Sequence, residues 1–274
     1  MAVITVSRGS YSGGKLVAEK VCEKLGYECV AREALLEASA QFNVPEARLV
    51  RAVHDAPSVL DRFAFGREKY VAYIQAALVR HVRRDKVVYH GLAGHFLLRG
   101  IAHVVKVRVI ADWERRLAIV MERDKVGPKE AERILTHDDE QRRKWSQHLY
   151  GIDAADPGLY DLVIHLGRIA VDDAADLVCQ VARLKGFETT SESQNAMENL
   201  ALECEVRCRL IELKPYVQVH AEDGTVVVKV TAPVALASVQ GQMVREIKSL
   251  AEVVPGVRGV RVKTSPGLPY VGND

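Results

Sequence analysis

The sequence predicts an α/β fold: a parallel sheet with helices on both faces, followed by a small α+β domain of αββαβ order. Three observations carry this. Short β-branched apolar runs at Val3–Val6, Lys86–His90, Val104–Ile110 and Leu162–Leu166 alternate with helical patterns. A glycine-rich stretch, Gly9 to Gly14, joins the first run to the first helix. After residue 186 the composition shifts to a polar segment and the alternation stops.

The elements follow in chain order. Val3–Val6 reads as a buried strand. Lys15–Leu25 has helical spacing through Leu16, Val17, Val21 and Leu25, with Gly26 as its C-cap. From Arg32 to about Arg84 the pattern is helical, punctuated by Pro45 and Pro57. Lys86–His90 is a second strand, followed by Gly91 and a short helix. Val104–Ile110 is a third strand, Trp113 to about Arg123 a helix, and Pro128 to about Tyr150 one or two more. Leu162–Leu166 is a fourth strand and Asp172–Lys185 a closing helix. The first domain therefore spans 1–186 and residues 187–197 read as a linker.

The second domain spans 198–264. It opens with a helix over about Leu200–Glu212, stopped near Pro215. Strands over Tyr216–Ala221 and Thr225–Thr231 are closed by Asp223-Gly224, a hairpin signal. A long helix over Ala235–Val253 breaks at Pro255-Gly256, before a last strand over Val257–Lys263. Residues 265–274 read as a frayed tail.

Composition bounds the function. The 274 residues are 48% hydrophobic and 27% charged, which excludes disordered and low-complexity classes. Lys and Arg number 38 against 36 Asp and Glu, a net charge of +2. That balance argues against a polymeric nucleic acid or a membrane surface as partner. Residues 187–274 carry nine basic and eleven acidic side chains, a net of −2, which leaves +4 on the rest. A small phosphorylated ligand held by a few placed cations fits that distribution. The five cysteines form no CxxC pair, so a reducing compartment is expected. Cys204 and Cys208, four apart, read as small apolar neighbours rather than metal ligands, and no metal site is expected from the protein's own residues. The first apolar run ends at Ser7 and Arg8, too short for a secretory signal, and nothing approaches the ~18 apolar residues of a membrane span. A cytoplasmic location is the expectation.

The stretch Gly9-Ser10-Tyr11-Ser12-Gly13-Gly14-Lys15-Leu16 fits G-x-x-x-x-G-K. Glycines let consecutive N–H groups curl around an anion, and the following helix offers its positive end. Lys15 supplies a mobile charge for β and γ phosphate oxygens. Position 16 is Leu, so the hydroxyl that usually holds Mg²⁺ beside an ATP is missing there. Ser10, Ser12 or water would have to replace it. Without a ligand the same stretch is a turn between a strand and a helix.

Residues 4–17 (ITVSRGSYSGGKLV), 26–34, 86–98, 104–123 and 136–166 together resemble the cytidylate kinase-like family, which are P-loop nucleoside monophosphate kinases. The likeness covers roughly residues 1–185. Its most specific parts are the S-R…S-G-G-K loop and the stretch from Asp139 through Arg142 to Tyr150-Gly151, followed by Tyr160-Asp161-Leu162. The resemblance implies transfer of the ATP γ-phosphoryl group to CMP, dCMP or a similar acceptor, with Mg²⁺. Such chemistry needs cations around the transferring group. Lys15, Arg116 and Arg142 are the candidates for catalysis, and Arg123, Lys125, Asp139 and Arg143 lie where such kinases carry their lid. Asp139 and Arg142 stand three apart on a helix, so the carboxylate is placed to aim the guanidinium. Arg8, Arg32, His90 and Gly91 are candidates for the acceptor side. The same 115–144 region also reads as a solvated helical hairpin of balanced charge.

Departures bear on activity. Ala31 stands where the family usually has Asp, Leu92 where it has Arg, and Ile119 where it has a second lid arginine. Each lost charge-assisted bond is worth about 1.5–3 kcal/mol, roughly 10–100-fold in rate. Residues 198–264 resemble a BON domain, carried by Glu222–Val228 and Ala251–Val260. That resemblance implies a protein or an apolar ligand as its partner. Two functions follow: an active nucleotide kinase with a regulatory module, or a degenerate kinase fold that binds nucleotide and signals through that module.

Overall fold

The computed structural model describes residues 2–31, 33–54, 66–91, 93–213, 217–232 and 237–266. Five parallel strands form the first sheet: β1 (Val3–Arg8), β2 (Glu28–Val30), β3 (Val87–Tyr89), β4 (Val104–Ala111) and β5 (Leu162–Leu166). Their order is β2-β3-β1-β4-β5, so the connections run to opposite sides of β1. In open α/β sheets that reversal marks where ligands bind, outside the carboxyl ends of the strands. Helix α1 (Gly14–Leu25) follows β1. Then come α2 (Glu33–Phe42), α3 (Glu46–His54) and α4 (Gly66–Val82) before β3, and α5 (Gly94–Leu97) after it. Helices α6 (Trp113–Asp124) and α7 (Pro128–Tyr150) separate β4 from β5, and α8 (Val171–Ala182) follows β5.

Side-chain alternation splits the core in two. Ile4, Val6, Val105, Val107 and Val109 point to the α1 and α8 face, where Val17, Val21, Ala174 and Val178 meet them. Val3, Val87, Tyr89 and Val104 point to the other face, against Ile74 and Leu78 of α4. Helices on both faces explain why the strands read as apolar runs. β2 is the strand the pattern did not announce. It is three residues long and only Val30 is fully buried, too little for a periodicity. The 128–150 segment is one 23-residue helix.

The C-terminal part holds α9 (Ser191–Leu210), β6 (Gln218–Glu222), β7 (Thr225–Ala232), α10 (Ala237–Glu252) and β8 (Gly259–Pro266). β6 and β7 pair antiparallel across Asp223 (φ 45) and Gly224 (φ 77), and β8 pairs parallel with β7. Both turn residues in the left-handed region match the twist of a two-residue hairpin. Val206 and Leu210 of α9 and Ile247 and Ala251 of α10 cover one face of this sheet. β8 runs two residues past the expected boundary at 264, and the rest of the tail lies outside the described residues.

The expected linker needs correction. Most of 187–197 is helix: α9 begins at Ser191. Thr190 caps it, its hydroxyl accepting from Ser193 N at 3.1 Å while Ser193 Oγ accepts from Thr190 N at 3.0 Å. Met197, Ala201, Cys204 and Cys208 form a stripe that packs into the first domain's core. The opposite stripe belongs to the second core, so α9 serves both. Ser193 also meets the buried His103 ring at 2.8 Å. The stripe escaped a reading of hydrophobic period because its members are small or sulfur-bearing and lie among Ser, Glu, Gln and Asn. Among the described residues no helix is long and apolar enough to cross a membrane.

Candidate active site

β1 delivers the glycine loop to the carboxyl edge of the sheet. Gly9 N donates to Val109 O at 3.1 Å and Ser12 Oγ to the same oxygen at 2.8 Å, which pins the loop to β4. Gly13, φ +82, caps α1, a conformation that suits glycine. A Cβ at Gly14 would lie 2.8 Å from Arg8 Cβ and 3.3 Å from Val109 Cβ. The first turn of α1 has no acidic residue, so its positive end is unopposed there. Ser10 is buried, and among the described residues its Oγ has no hydrogen-bond partner. Lys15 reaches into solvent, and among the described residues its one ion pair is with Glu19 at 3.6 Å.

The loop suits phosphates; a protein-held Mg²⁺ is another matter. Leu16 is 55% exposed at the position where a hydroxyl would be needed, and Ser12 donates its proton to Val109. Among the described residues no three His, Cys, Asp or Glu side chains gather as a metal site. Of the two loop hydroxyls, only the unpartnered Ser10 Oγ is left to take the place of the one missing at position 16.

Helices α6 and α7 pack against the loop. Arg116 of α6 donates Nε to Ser10 O at 2.7 Å and pairs through Nη2 with Asp139 of α7. Asp139 thus aims Arg116, where the sequence spacing pointed to Arg142. Arg142 instead donates Nη1 to Arg8 O at 2.9 Å. Burial, and Arg8 beside it, push the Arg142 pKa down; burial pushes Arg8 down too, with Glu19 opposing. Arg123 is turned outward to Asp124 at 2.6 Å and to Tyr11 Oη at 2.9 Å, and Lys125 is exposed in the turn after α6. Neither lines the cavity below.

That cavity, about 270 Å³, lies between the ends of β1 and β4, α5 and α7. Arg8, Arg108, Arg116, Arg142 and Arg143 line it, with Asp139 and Asp153. Ala93, Phe96, Trp145 and Ala154 supply an apolar wall. Of the acceptor candidates, Arg8 reaches this cavity. His90 is not part of its lining; it is buried after β3, its Nδ1 without a partner among the described residues and its pKa pushed down first by burial and then by Arg8. Gly91 is required sterically, since a Cβ there would fall 2.1 Å from Tyr89 Oη. Arg32 and Leu92 lie outside the described residues.

Sequence reasoning missed Arg108, His95 and Tyr160. Arg108 had a readable signal: a guanidinium near the carboxyl end of an otherwise valine-rich buried strand. Tyr160 stood in the family-like Tyr160-Asp161-Leu162 stretch without a role, and its pairing with His95 stayed hidden because α5 is four residues long and the two lie 65 positions apart.

A phosphate-shaped glycine loop with a cation-lined cavity beside it, at the strand-order reversal of a parallel sheet, defines a P-loop kinase-like domain. The chain belongs to the cytidylate kinase-like family, whose model matches residues 3–168, more than half of its length. Among solved structures, it is similar to an uncharacterized protein from Eubacterium ventriosum ATCC 27560 at 20% identity, over 66% of this chain and 98% of that one, with a TM-score of 0.51. That likeness shows the fold. Shikimate kinase from Acinetobacter baumannii, solved with shikimate, matches at 15% identity over 66% and 92% of the two chains, with a TM-score of 0.40. Dephospho-CoA kinase from Campylobacter jejuni matches at 13% identity over 66% and 96%, with a TM-score of 0.34. No curated protein matches the chain.

Proposed function

We propose that this protein transfers the γ-phosphoryl group of ATP to a nucleoside monophosphate, with CMP or dCMP as the acceptor class. One observation carries the reading. Arg116 bonds the Ser10 carbonyl of the glycine loop and at the same time lines the cavity, so a single guanidinium spans donor and acceptor sites. ATP phosphates sit on the Gly9–Gly14 amides with Lys15 at the β and γ oxygens. The acceptor phosphate lies in the cavity among Arg8, Arg142 and Arg143, its ring against the apolar wall. An acceptor oxygen attacks the γ phosphorus, the bond to the β-bridging oxygen breaks, and ADP leaves with that electron pair. The guanidiniums hold the two phosphates in line and take up the charge that spreads over the equatorial oxygens.

The C-terminal module is proposed to be regulatory or an interaction surface for a protein or an apolar ligand. A second reading, a nucleotide-binding sensor without turnover, is favoured by one observation: Leu16 puts an exposed apolar side chain where metal-assisted transfer usually has a hydroxyl. Coupled measurement of ADP release decides between them. The enzyme reading expects release that depends on ATP, Mg²⁺ and one of CMP, dCMP or UMP. Tight ATP binding with no acceptor giving turnover overturns it in favour of the sensor.

A further inference from the structure

We infer that Arg108 is the cation on which the acceptor's phosphate rests, and that Tyr160 is the positioning residue that holds it there. The inference builds on the function proposed above. β4 is sandwiched between β1 and β5, and apart from Lys106 its other residues are apolar. A guanidinium placed in such a strand is costly unless its charge is met. Among the described residues no carboxylate pairs with Arg108. Its bonds go to neutral oxygens: Nη1 donates to Ala154 O at 2.6 Å and to Tyr160 Oη at 3.2 Å.

Proton counting shows how the mount works. Tyr160 donates its one hydroxyl proton to Ala154 O at 2.8 Å. Its oxygen can then only accept. It does so from Arg108, while His95 Nε2 at 3.2 Å and Ser7 Oγ at 3.3 Å share its remaining lone pair. Among the described residues the other ring nitrogen of His95, Nδ1, is buried without a hydrogen-bond partner. The guanidinium also lies over the Tyr160 ring, 5.4 Å from its centre. Arg108 has other N–H groups to give, and it lines the same cavity as Arg8 and Arg142.

The charge balance of the cavity then names the occupant. Asp139 is taken by Arg116, and Asp153 accepts from Ala155 N at 2.8 Å without pairing with an arginine. Arg8, Arg108 and Arg142 make no direct ion pair with a carboxylate among the described residues, although Glu19 acts on Arg8 and Asp138 and Asp139 on Arg142 from a distance. A dianionic phosphomonoester meets that excess, and the wall of Phe96 and Trp145 takes its planar ring.

The test reads binding without turnover, on the full chain saturated with the ATP analogue AMP-PNP so that the loop is filled. Probes are CMP by calorimetry and inorganic phosphate by phosphorus NMR line broadening. Arg108→Met is expected to weaken both about ten- to a hundredfold. Tyr160→Phe is expected to weaken both several-fold, with AMP-PNP affinity unchanged within about twofold for each variant, a selectivity that a merely structural role would not produce. If phosphate binds and CMP does not, and Arg108→Met removes the phosphate, the Arg108 assignment holds and the nucleotide acceptor is wrong. If Arg108→Met keeps both probes at parental affinity, or the parent binds neither, the assignment is overturned. Should Arg108→Met fail to fold, Tyr160→Phe decides by the same criteria.

Discussion

Arg142 of α7 donates to the carbonyl oxygen of Arg8 at 2.9 Å, so α7 is anchored on the residue just before the glycine loop. Two guanidiniums that repel each other are held together by a bond to backbone, and the charge they concentrate is available to a ligand.

Lys15→Ala should weaken ATP binding at least tenfold in calorimetry and leave the thermal midpoint unchanged. The side chain is exposed and its one ion pair is a surface contact of small value. Unchanged ATP affinity would falsify the loop assignment.

Asp139→Asn removes the charge that aims Arg116 while keeping the side chain's shape. The turnover rate should drop about ten- to a hundredfold with KM for ATP little altered. A rate within twofold of the parent would mean that the Ser10 carbonyl alone orients Arg116.

Gly14→Ala places a methyl group 2.8 Å from Arg8 Cβ, an atom tied directly to backbone. Overpacking of this kind costs about 1–3 kcal/mol. Denaturant unfolding should show it, and CMP binding should fall as well, since the atom displaced belongs to Arg8.

His95 is neutral in the fold, its pKa pushed to about 3 by burial first and by Arg108 and Lys106 next. The unfolded chain takes up a proton near pH 6.5 and the folded one does not. Stability from this group is therefore complete above about pH 6.5 and is lost progressively as pH falls toward 3. His90 and His103 are shifted down as well and act in the same sense. Urea midpoints measured from pH 7 to 4 should decline, and His95→Phe should flatten the slope. A slope unchanged by that substitution would locate the proton uptake elsewhere.

The parallel strands were legible because each is buried on both faces and bordered by glycine or charge. The glycine loop was legible because its spacing is a local property of the chain. What escaped was the mutual arrangement of distant groups. Asp139 lies one helical turn from Arg142, yet its partner is Arg116 on another helix. Arg108 looked like one more charge among many until Tyr160 and Ala154 were seen beside it. The start of α9 was hidden because its buried face is made of Met, Ala and Cys, and its cap uses a Ser where the usual signature has Glu or Gln.

Met197→Ala tests that helix. Its side chain is fully buried in the first domain's core, and truncation should cost about 2–5 kcal/mol. Circular dichroism should show one melting transition moving as a whole, and a variant that loses only the C-terminal module's signal would count against the shared helix.

The double membership of α9 has a practical side. A fragment ending before residue 191 would carry an open apolar trough along α4, where Cys208 Sγ now meets Ala72 O. A fragment beginning just after residue 186 would carry a helix that is apolar on both sides. A cut at that boundary would expose apolar surface on both pieces. Through α9 the small sheet is built into the kinase-like domain rather than hung from it.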